Sequence, residues 1–256
     1  MNIIAIGGFP RSGTRQFADI LNGDPSCIIQ GEIHSDLLRS LAKFALEADK
    51  SLVQGRTEKA FSARRIRFVL EAYRMVSKTN AEPLVWDFSQ QNLGFKKPFA
   101  EHFFKELEAL FSPSVDRIKL FICLRNIEKN FLSLSGAFGY SPRKFKKVIV
   151  TTDRALIEIS KNKFFEVYPL HLDSFIEKND DAKGDWLVQN IFSKLNLDIA
   201  AEDAFEFYFK KRNGNKTPAE KIRGPITDAE RKIIFGDRSF MKHVASIEAR
   251  MGVTLR

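Results

Sequence analysis

One short segment near the N-terminus restricts the fold of this chain more than any other. Residues 2–6, NIIAI, are an apolar run of the kind that forms a buried strand, and the turn GFPRSG follows it. Residues 14–22 then place Phe17, Ile20 and Leu21 on one face of a predicted helix. A buried strand that passes through a glycine turn into a helix is typical of α/β proteins with a parallel sheet.

Short apolar runs and helical patterns alternate along most of the remaining sequence. The clearest strand is 118–124, IKLFICL, because a continuous apolar run is typical of a sheet that is covered on both faces. We therefore predict an α/β domain with a mainly parallel β-sheet flanked by helices. The other predicted strands are 27–30, 83–88 and 164–170, and the other predicted helices are 99–111, 126–138, 143–161, two short helices around Lys183-Gly184 within 172–196, 228–235 and 239–251.

The length of 256 residues is that of one large domain, which we expect to span residues 1–256. Residues 35–80 are helical in pattern, strongly basic and longer than an ordinary crossover, so we predict an inserted helical layer there. Over residues 204–256 the pattern changes to an aromatic run, a basic loop and further helices. Thr227 and Glu230 have the spacing of a capping box before the first of these helices.

The formal net charge of +9 indicates anionic partners. We expect no nucleic-acid partner, because the basic residues are spread over helices and form no zinc-finger spacing, RNA-binding aromatic motif or basic zipper. No apolar stretch approaches the roughly 20 residues of a membrane helix, and the N-terminus lacks the basic region of a signal peptide. Cys27 and Cys123 lie in predicted buried strands, so we expect a cytoplasmic protein with reduced, structural cysteines.

The glycine turn after the first predicted strand has the frame of a nucleotide-triphosphate-binding loop, with altered chemistry. Gly8 and Gly13 bracket four residues, but the next two positions hold Thr14 and Arg15. A triphosphate loop has Lys and then Ser or Thr there, so the lysine for the outer phosphates and the hydroxyl for magnesium are missing. A positive charge is present inside the loop at Arg11. These residues predict an anion-binding loop that needs no metal.

Each residue of this loop has a predicted contribution to anion binding. The backbone N–H groups of Ser12, Gly13 and Thr14 would point at an anion on the helix N-terminus. Pro10 stiffens the entry to the turn, and Arg11 with the two hydroxyl side chains can donate further hydrogen bonds.

A second anion site is predicted in LRNIEKNFLSLSGAF, residues 124–138. Arg125 falls where a predicted strand ends, and Ser133 lies eight residues later, about two helical turns away. Ligands of α/β sheets bind at the carboxyl ends of parallel strands. An arginine in that position can bind phosphate through two N–H groups at once, and the serine hydroxyl can add another hydrogen bond.

Taken together, these segments resemble the sulfotransferases that use 3'-phosphoadenosine 5'-phosphosulfate (PAPS). The segment IGGFPRSGT resembles their 5'-phosphosulfate-binding loop, and LRNIEKNFLS resembles their 3'-phosphate-binding segment. GFKKP, residues 94–98, resembles a third recurring element, and FFEVYPLHLDSFIEKND with LVQNIFSKLNLD resembles the strand and helices that follow it. The matching segments extend from residue 3 to about residue 197 and so cover most of the chain.

The resemblance implies a P-loop NTPase-like sulfotransferase fold and a metal-independent, nucleotide-binding enzyme. Such an enzyme moves the sulfuryl group of PAPS to a hydroxyl or amine and leaves adenosine 3',5'-bisphosphate. The two distant phosphates of PAPS match two anion sites on different strand ends. No motif indicates the acceptor, which can be a small molecule, a glycan or another polymer. We expect its choice to depend on residues 35–80 and 204–226.

The resemblance also implies a catalytic base and a cationic helper. The Glu-using branch of the family has its base after the second strand, where this chain reads QGEIHSD with Glu32. His34, two residues later, is the rival base. Arg11 is the candidate for stabilising charge on the bridging oxygen as sulfate leaves, and Lys96 is the candidate helper in GFKKP.

Two basic positions match the family only in part. Arg15 stands where members commonly have Thr or Ser, so it either contacts the donor or is a solvated charge on the outer helix face. The loop KKRNGNK, residues 210–216, contains Arg212 and Lys216 and lies where family members close over the adenine or the 3'-phosphate. An ordinary surface loop is the alternative interpretation of this segment.

Two other functions are compatible with parts of the sequence. A nucleotide or small-molecule kinase could use Asp87 as its magnesium ligand, but the missing loop lysine counts against it. A non-enzymatic module could bind nucleic acid or acidic polymers through the basic helical stretch 56–79, although such a helix is more often packed on one face and solvated on the other.

Overall fold

A computed structural model describes the fold for residues 2–52, 67–72, 77–78, 92–211 and 223–256. The predicted strand 83–88 lies outside these ranges, as do the predicted site residues Arg212 and Lys216 and the alternative metal ligand Asp87. Most of the basic stretch 56–79 also lies outside them.

A central parallel sheet organises the described part of the chain, as the alternation of strands and helices predicts. The strands are β1 Asn2–Gly8, β2 Cys27–Gln30, β3 Glu32–Ile33, β4 Ser77–Lys78, β5 Asn92–Lys96, β6 Ile118–Leu124 and β7 Phe165–His171. The sheet has the order β2-β5-β1-β6-β7, and its neighbours all pair in parallel. Strand β1 is therefore central, and the turn that follows it lies between the ends of β5 and β6.

Helices cover both faces of this sheet. They are α1 Thr14–Leu21, α2 Ser35–Leu52, α3 Phe104–Phe111, α4 Ile127–Phe138, α5 Pro142–Ile159, α6 Leu172–Ile176, α7 Asp180–Leu187, α8 Ala201–Lys211, α9 Asp228–Phe235 and α10 Arg238–Met251. A 3-10 turn, Ala100–Phe103, precedes α3, and α7 continues into a π-helical segment, Val188–Phe192. Across the described ranges, no helix has the length and apolar character to cross a membrane.

Side chains on opposite faces of the sheet enter two separate apolar clusters. In β6, Leu120 and Ile122 belong to one cluster, whereas Phe121 and Cys123 belong to the other. Successive side chains of a strand point to opposite faces, so a strand that is covered on both faces needs an unbroken apolar run. Both cysteines are buried and free, and burial raises the pKa of Cys27 to about 12.

The structure differs from the sequence prediction in the inserted layer, around Lys183-Gly184 and at β5, which was not predicted as a strand. Residues Ser77–Lys78, within the predicted helical layer 35–80, form a strand because they pair antiparallel with Glu32–Ile33. Lys183 and Gly184 lie inside α7 and not between two helices. A Cβ atom at Gly184 would lie 2.1 Å from the Ala201 carbonyl oxygen, so this glycine permits a close backbone approach and does not end a helix.

The C-terminal region contains one predicted helix start and one helix that was not predicted. The capping box of Thr227 and Glu230 before α9 is confirmed, since both of its reciprocal hydrogen bonds are present. The aromatic run that follows residue 204 belongs to helix α8, which the sequence analysis did not predict. The Tyr208 ring packs edge-on against Phe175, 5.0 Å away, and this packing favours a helix over a loop.

Candidate functional site

The loop between β1 and α1, residues 9–13, follows Gly8, and three residues of this turn have positive φ angles. Gly8 and Gly13 at its ends have φ angles of +96° and +87°, which glycine adopts readily. A Cβ atom at Gly8 would lie 2.1 Å from the Cys123 carbonyl oxygen, so this glycine also lets β1 approach β6 closely. Arg11 has a φ angle of +65°, which is uncommon for a residue with a side chain.

The N-terminus of α1 carries neither a capping side chain nor a negative charge. Gly13 is its N-cap residue, and its first turn contains no acidic residue. The first N–H groups of a helix have no partner within it, and together with the helix dipole they favour an anion. Of the three N–H groups predicted to bind the anion, that of Ser12 instead donates to the Phe9 carbonyl oxygen at 3.2 Å. Gly13 and Thr14 are therefore the loop residues whose N–H groups can take this role.

Helix α4 contacts the loop through the residues predicted for the second anion site. Arg11 Nε donates to Ser133 Oγ at 3.2 Å, and Arg125 Nη1 donates to the Arg11 carbonyl oxygen, also at 3.2 Å. Arg125 directly follows β6 and Ser133 lies in α4, as predicted. These contacts bring the two predicted motifs next to each other at the ends of β1 and β6.

Asn130 also holds the loop, and the sequence analysis did not identify it. Its Nδ2 atom donates to the Pro10 carbonyl oxygen at 2.8 Å and to Ser12 Oγ at 3.2 Å. Both Asn130 and Ser12 are fully buried. The only sequence signal for this role is the position of Asn130 three residues before Ser133, which puts both on one side of the helix.

A buried carboxylate beside Arg125 was also missed. Asp173, in α6 directly after β7, lies 3.9 Å from Arg125 Nε and 3.1 Å from Lys129 Nζ, and it accepts the Asn126 N–H at 2.7 Å. Burial lowers the pKa of Arg125, Asp173 opposes that shift, and the neighbouring Arg11 adds to it. Arg11 and Arg125 thus lie close enough to influence each other, and such a pair of cations favours the binding of negative charge.

Glu32 and Lys96, the predicted base and helper, form an ion pair. Lys96 Nζ lies 2.9 Å from Glu32 Oε1. The Lys96 side chain is 16% exposed, and the Glu32 side chain is 42% exposed. The carboxylate therefore keeps access to solvent and to a ligand. Lys96 ends β5 in register with Ile6 of the neighbouring β1. Lys97, the next residue, is buried and donates to the Ile33 carbonyl oxygen at 3.0 Å.

His34 and Arg15 lie at the surface. The His34 side chain is 55% exposed, and its Nδ1 atom accepts the Asp36 N–H at 3.4 Å. The Arg15 side chain is 68% exposed and pairs with Asp19 at 3.6 Å. Of the two roles that the sequence left open for Arg15, this position corresponds to the solvated charge. Thr14, its neighbour, is buried at the start of α1.

A second buried carboxylate supports the start of the loop. Glu101, in the 3-10 turn before α3, accepts the Gly8 N–H at 2.8 Å and the Thr152 hydroxyl at 3.2 Å. His102 Nε2 lies 2.9 Å from Thr152 Oγ1, and burial lowers the pKa of His102. These contacts fix the end of β1 from which the loop emerges. No sequence motif marks Glu101.

Comparison with known proteins gives a likeness in fold. No protein-family model matches the sequence, and no curated protein matches it either. The sulfotransferase domain from the Synechococcus PCC 7002 olefin synthase is similar, with a TM-score of 0.53, 16% identity and coverage of 91% of this chain and 86% of that one. A sulfotransferase from Alicyclobacillus acidocaldarius has a TM-score of 0.51, 11% identity and coverage of 100% of this chain and 97% of that one. The chain has a sulfotransferase-like fold.

The sulfotransferase-like fold confirms the predicted P-loop-like α/β architecture with a parallel sheet between helices. Three cations are found at one edge of that sheet. Lys96 is the last residue of β5, Arg11 lies in the loop after β1, and Arg125 directly follows β6. Because β5, β1 and β6 are neighbours and parallel, the three residues lie at the edge where α/β sheets bind their ligands.

Proposed function

We propose that this protein is a PAPS-dependent sulfotransferase. The observation that carries the proposal is the convergence of Arg11, Arg125 and Ser133 beside the uncapped N-terminus of α1. PAPS has a phosphosulfate group and a separate 3'-phosphate, so its site needs several cations and hydrogen-bond donors at one edge of the sheet. The sulfotransferase-like fold supports the same conclusion.

The 5'-phosphosulfate end of the donor would bind at the loop. The N–H groups of Gly13 and Thr14 and the Arg11 guanidinium supply its hydrogen bonds. Pro10 stiffens the turn, and the buried Ser12 hydroxyl helps to hold the loop in place. Charge complementarity favours this assignment, because the first turn of α1 contains no carboxylate that would compete with the anion.

The 3'-phosphate would bind to Arg125 and Ser133. The Arg125 side chain is 24% exposed although its Nε atom faces Asp173, so an anion can reach part of this side chain. The Ser133 hydroxyl, which accepts from Arg11, can donate its own hydrogen to the same group. In this proposal Arg212 and Lys216 contact the adenine or the 3'-phosphate.

Sulfuryl transfer would proceed as an in-line displacement at sulfur. The acceptor oxygen or nitrogen forms a bond to sulfur while the bond from sulfur to the bridging phosphate oxygen breaks, and that oxygen keeps the electron pair. Glu32 takes the proton that the acceptor loses. Arg11 stabilises the charge on the bridging oxygen, and Lys96 both assists and holds the Glu32 carboxylate in position.

The proposed acceptor is a hydroxyl or amine of a small molecule, a glycan or another polymer. It would approach beside Glu32, at the start of α2, because the base must reach the acceptor proton within hydrogen-bonding distance. His34 is the second candidate for the base. Its Nδ1 atom already accepts the Asp36 N–H, which makes the ring a weaker candidate than the Glu32 carboxylate.

Calorimetric titration with adenosine 3',5'-bisphosphate, with ATP–magnesium in a parallel titration, tests the proposal. We expect the bisphosphate to bind without metal, and we expect radiolabelled sulfate from PAPS to move to at least one member of an acceptor panel. Binding of ATP–magnesium with no binding of the bisphosphate would overturn the proposal and favour the kinase. Salt-sensitive binding of DNA without binding of the bisphosphate would favour the non-enzymatic module.

A further inference from the structure

Asn130 forms hydrogen bonds with the residues immediately before and after Arg11 in the loop. Its Nδ2 atom donates to the carbonyl oxygen of Pro10 and to the hydroxyl of Ser12, the two neighbours of Arg11. Asn130 is fully buried in α4. A buried amide is costly unless it is hydrogen-bonded, and this one directs its donor end at the loop.

The residue between these two anchors has an unfavourable backbone conformation. Arg11 has a φ angle of +65°. Residues other than glycine adopt this left-handed conformation only when the surrounding structure holds them there. Asn130 fixes the chain immediately before and after Arg11, and Arg125 donates to the carbonyl oxygen of Arg11 itself. A change of φ at Arg11 would break these hydrogen bonds.

The chemistry of the amide explains why asparagine performs this role. The Pro10 carbonyl oxygen can only accept, so the group that faces it must be a donor, and an aspartate would present an acceptor there. Asn130 Oδ1 is buried and accepts no hydrogen bond from the described residues, so the visible role of this side chain lies in its donor end. Because Nδ2 also donates to Ser12 Oγ, the same amide fixes the buried Ser12 side chain, which directly follows Arg11.

We propose that Asn130 is a positioning residue that holds Arg11 in the left-handed conformation and so directs its guanidinium at the 5' end of the donor. This inference rests on the proposed function, because it concerns the loop that would bind the phosphosulfate. The side chain of Asn130 contacts the loop at Pro10 and Ser12. Its replacement should therefore affect the binding of the 5' end of the donor and not that of the 3' end.

Two ligands that differ by one phosphate test this specificity. Adenosine 3',5'-bisphosphate occupies both proposed phosphate positions, whereas adenosine 3'-monophosphate lacks the group for the loop. We expect Asn130→Ala to lower the affinity for the bisphosphate about tenfold, because one or two hydrogen bonds are lost. The affinity for the 3'-monophosphate should change less than about twofold. Asn130→Asp keeps the shape of the side chain. It should lower the affinity for the bisphosphate further, because the carboxylate repels the anion.

Leu134→Ala is the matched control, because Leu134 is a buried core residue of the same helix. It should lower the free energy of unfolding and leave both affinities unchanged. An equal loss of affinity for both ligands in Asn130→Ala and Asn130→Asp would overturn the inference, as would an unchanged affinity for the bisphosphate. If the unmodified protein binds neither ligand, the proposed function itself fails, and the inference fails with it.

Discussion

Arg11 Nε donates to Ser133 Oγ at 3.2 Å, and this contact joins two segments that are 122 residues apart in the chain. Arg11 belongs to the loop after β1, whereas Ser133 belongs to the helix after β6. The contact explains how two short motifs in neighbouring β-α units can act on one ligand. A ligand that binds between them would replace or share this hydrogen bond.

Replacement of Arg125 should lower the affinity for adenosine 3',5'-bisphosphate, whereas replacement of an exposed arginine should not. Arg125→Ala removes a half-buried guanidinium and its bond to the Arg11 carbonyl oxygen, so we expect a loss of affinity of about 10- to 100-fold by calorimetry. Arg125→Lys keeps the charge without the planar fork and should recover only part of that loss. Arg15→Ala is the control, because Arg15 is exposed and pairs with Asp19. This variant should bind the bisphosphate with an affinity within about twofold of that of the unmodified protein. Unchanged affinity in Arg125→Ala would remove this residue from the donor site.

Replacement of Glu32 should separate turnover from donor binding. Glu32→Gln keeps the shape of the side chain but cannot take a proton, so we expect turnover to fall by about 100-fold or more and bisphosphate affinity to be retained. His34→Gln is the comparison, since it removes the rival base and should leave turnover within about threefold. The reverse pattern, with loss of turnover only in His34→Gln, would reassign the base.

Two glycines with similar φ angles should respond differently to alanine. Gly8→Ala would place a Cβ atom 2.1 Å from the Cys123 carbonyl oxygen in addition to the strain of a φ angle of +96°, so we expect a loss of about 3–5 kcal/mol of unfolding free energy. Gly139, with a φ angle of +62°, has no atom within 4 Å of such a Cβ, so Gly139→Ala should cost about 1 kcal/mol. Urea unfolding measures both values. Equal losses would show that the approach of β1 to β6 adds no constraint at Gly8.

Acidification should destabilise the protein partly through His102. Burial lowers the pKa of His102 below its ordinary value of 6.5, so near and below that pH the unfolded chain binds a proton that the folded chain does not. Unfolding then takes up a proton, and the free energy of unfolding falls as the pH is lowered through 6.5. Urea unfolding between about pH 7.5 and 5.5 should show this fall, and the His102→Gln variant should show a smaller one. An identical pH dependence in both proteins would assign the effect to other groups.

Among the described strands, the sequence predicts β1, β2, β6 and β7, and it misses β3, β4 and β5. Strand β6, Ile118–Leu124, has the bounds that were predicted, because an unbroken apolar run has one simple explanation in a covered sheet. Strand β1 was predicted to end at residue 6 but extends to Gly8, since glycine gives no periodic signal and the extension depends on pairing with β6. Arg125 and Ser133 were found because the strand end and the helical spacing are both readable in the sequence.

The supporting residues of the site could not be predicted in the same way. Asn130, Asp173 and Glu101 act through contacts with residues 47 to 120 positions away in the chain. A single polar residue in a helix or turn is usually a surface residue, so its burial beside the loop is decided only when the helices pack on the sheet. The pairing of Ser77–Lys78 with Glu32–Ile33 was missed for the same reason, because two residues are too few to show a strand period.

The buried carboxylate of Glu101 has a thermodynamic consequence for ligand binding. It accepts the N–H of Gly8 where β1 ends, so the chain entering the loop is immobilised during folding and not during binding. A flexible loop would lose conformational entropy each time it closed on an anion, and that loss would weaken the complex. In this protein the ordering belongs to the folding equilibrium, and a ligand meets a surface whose shape is already set.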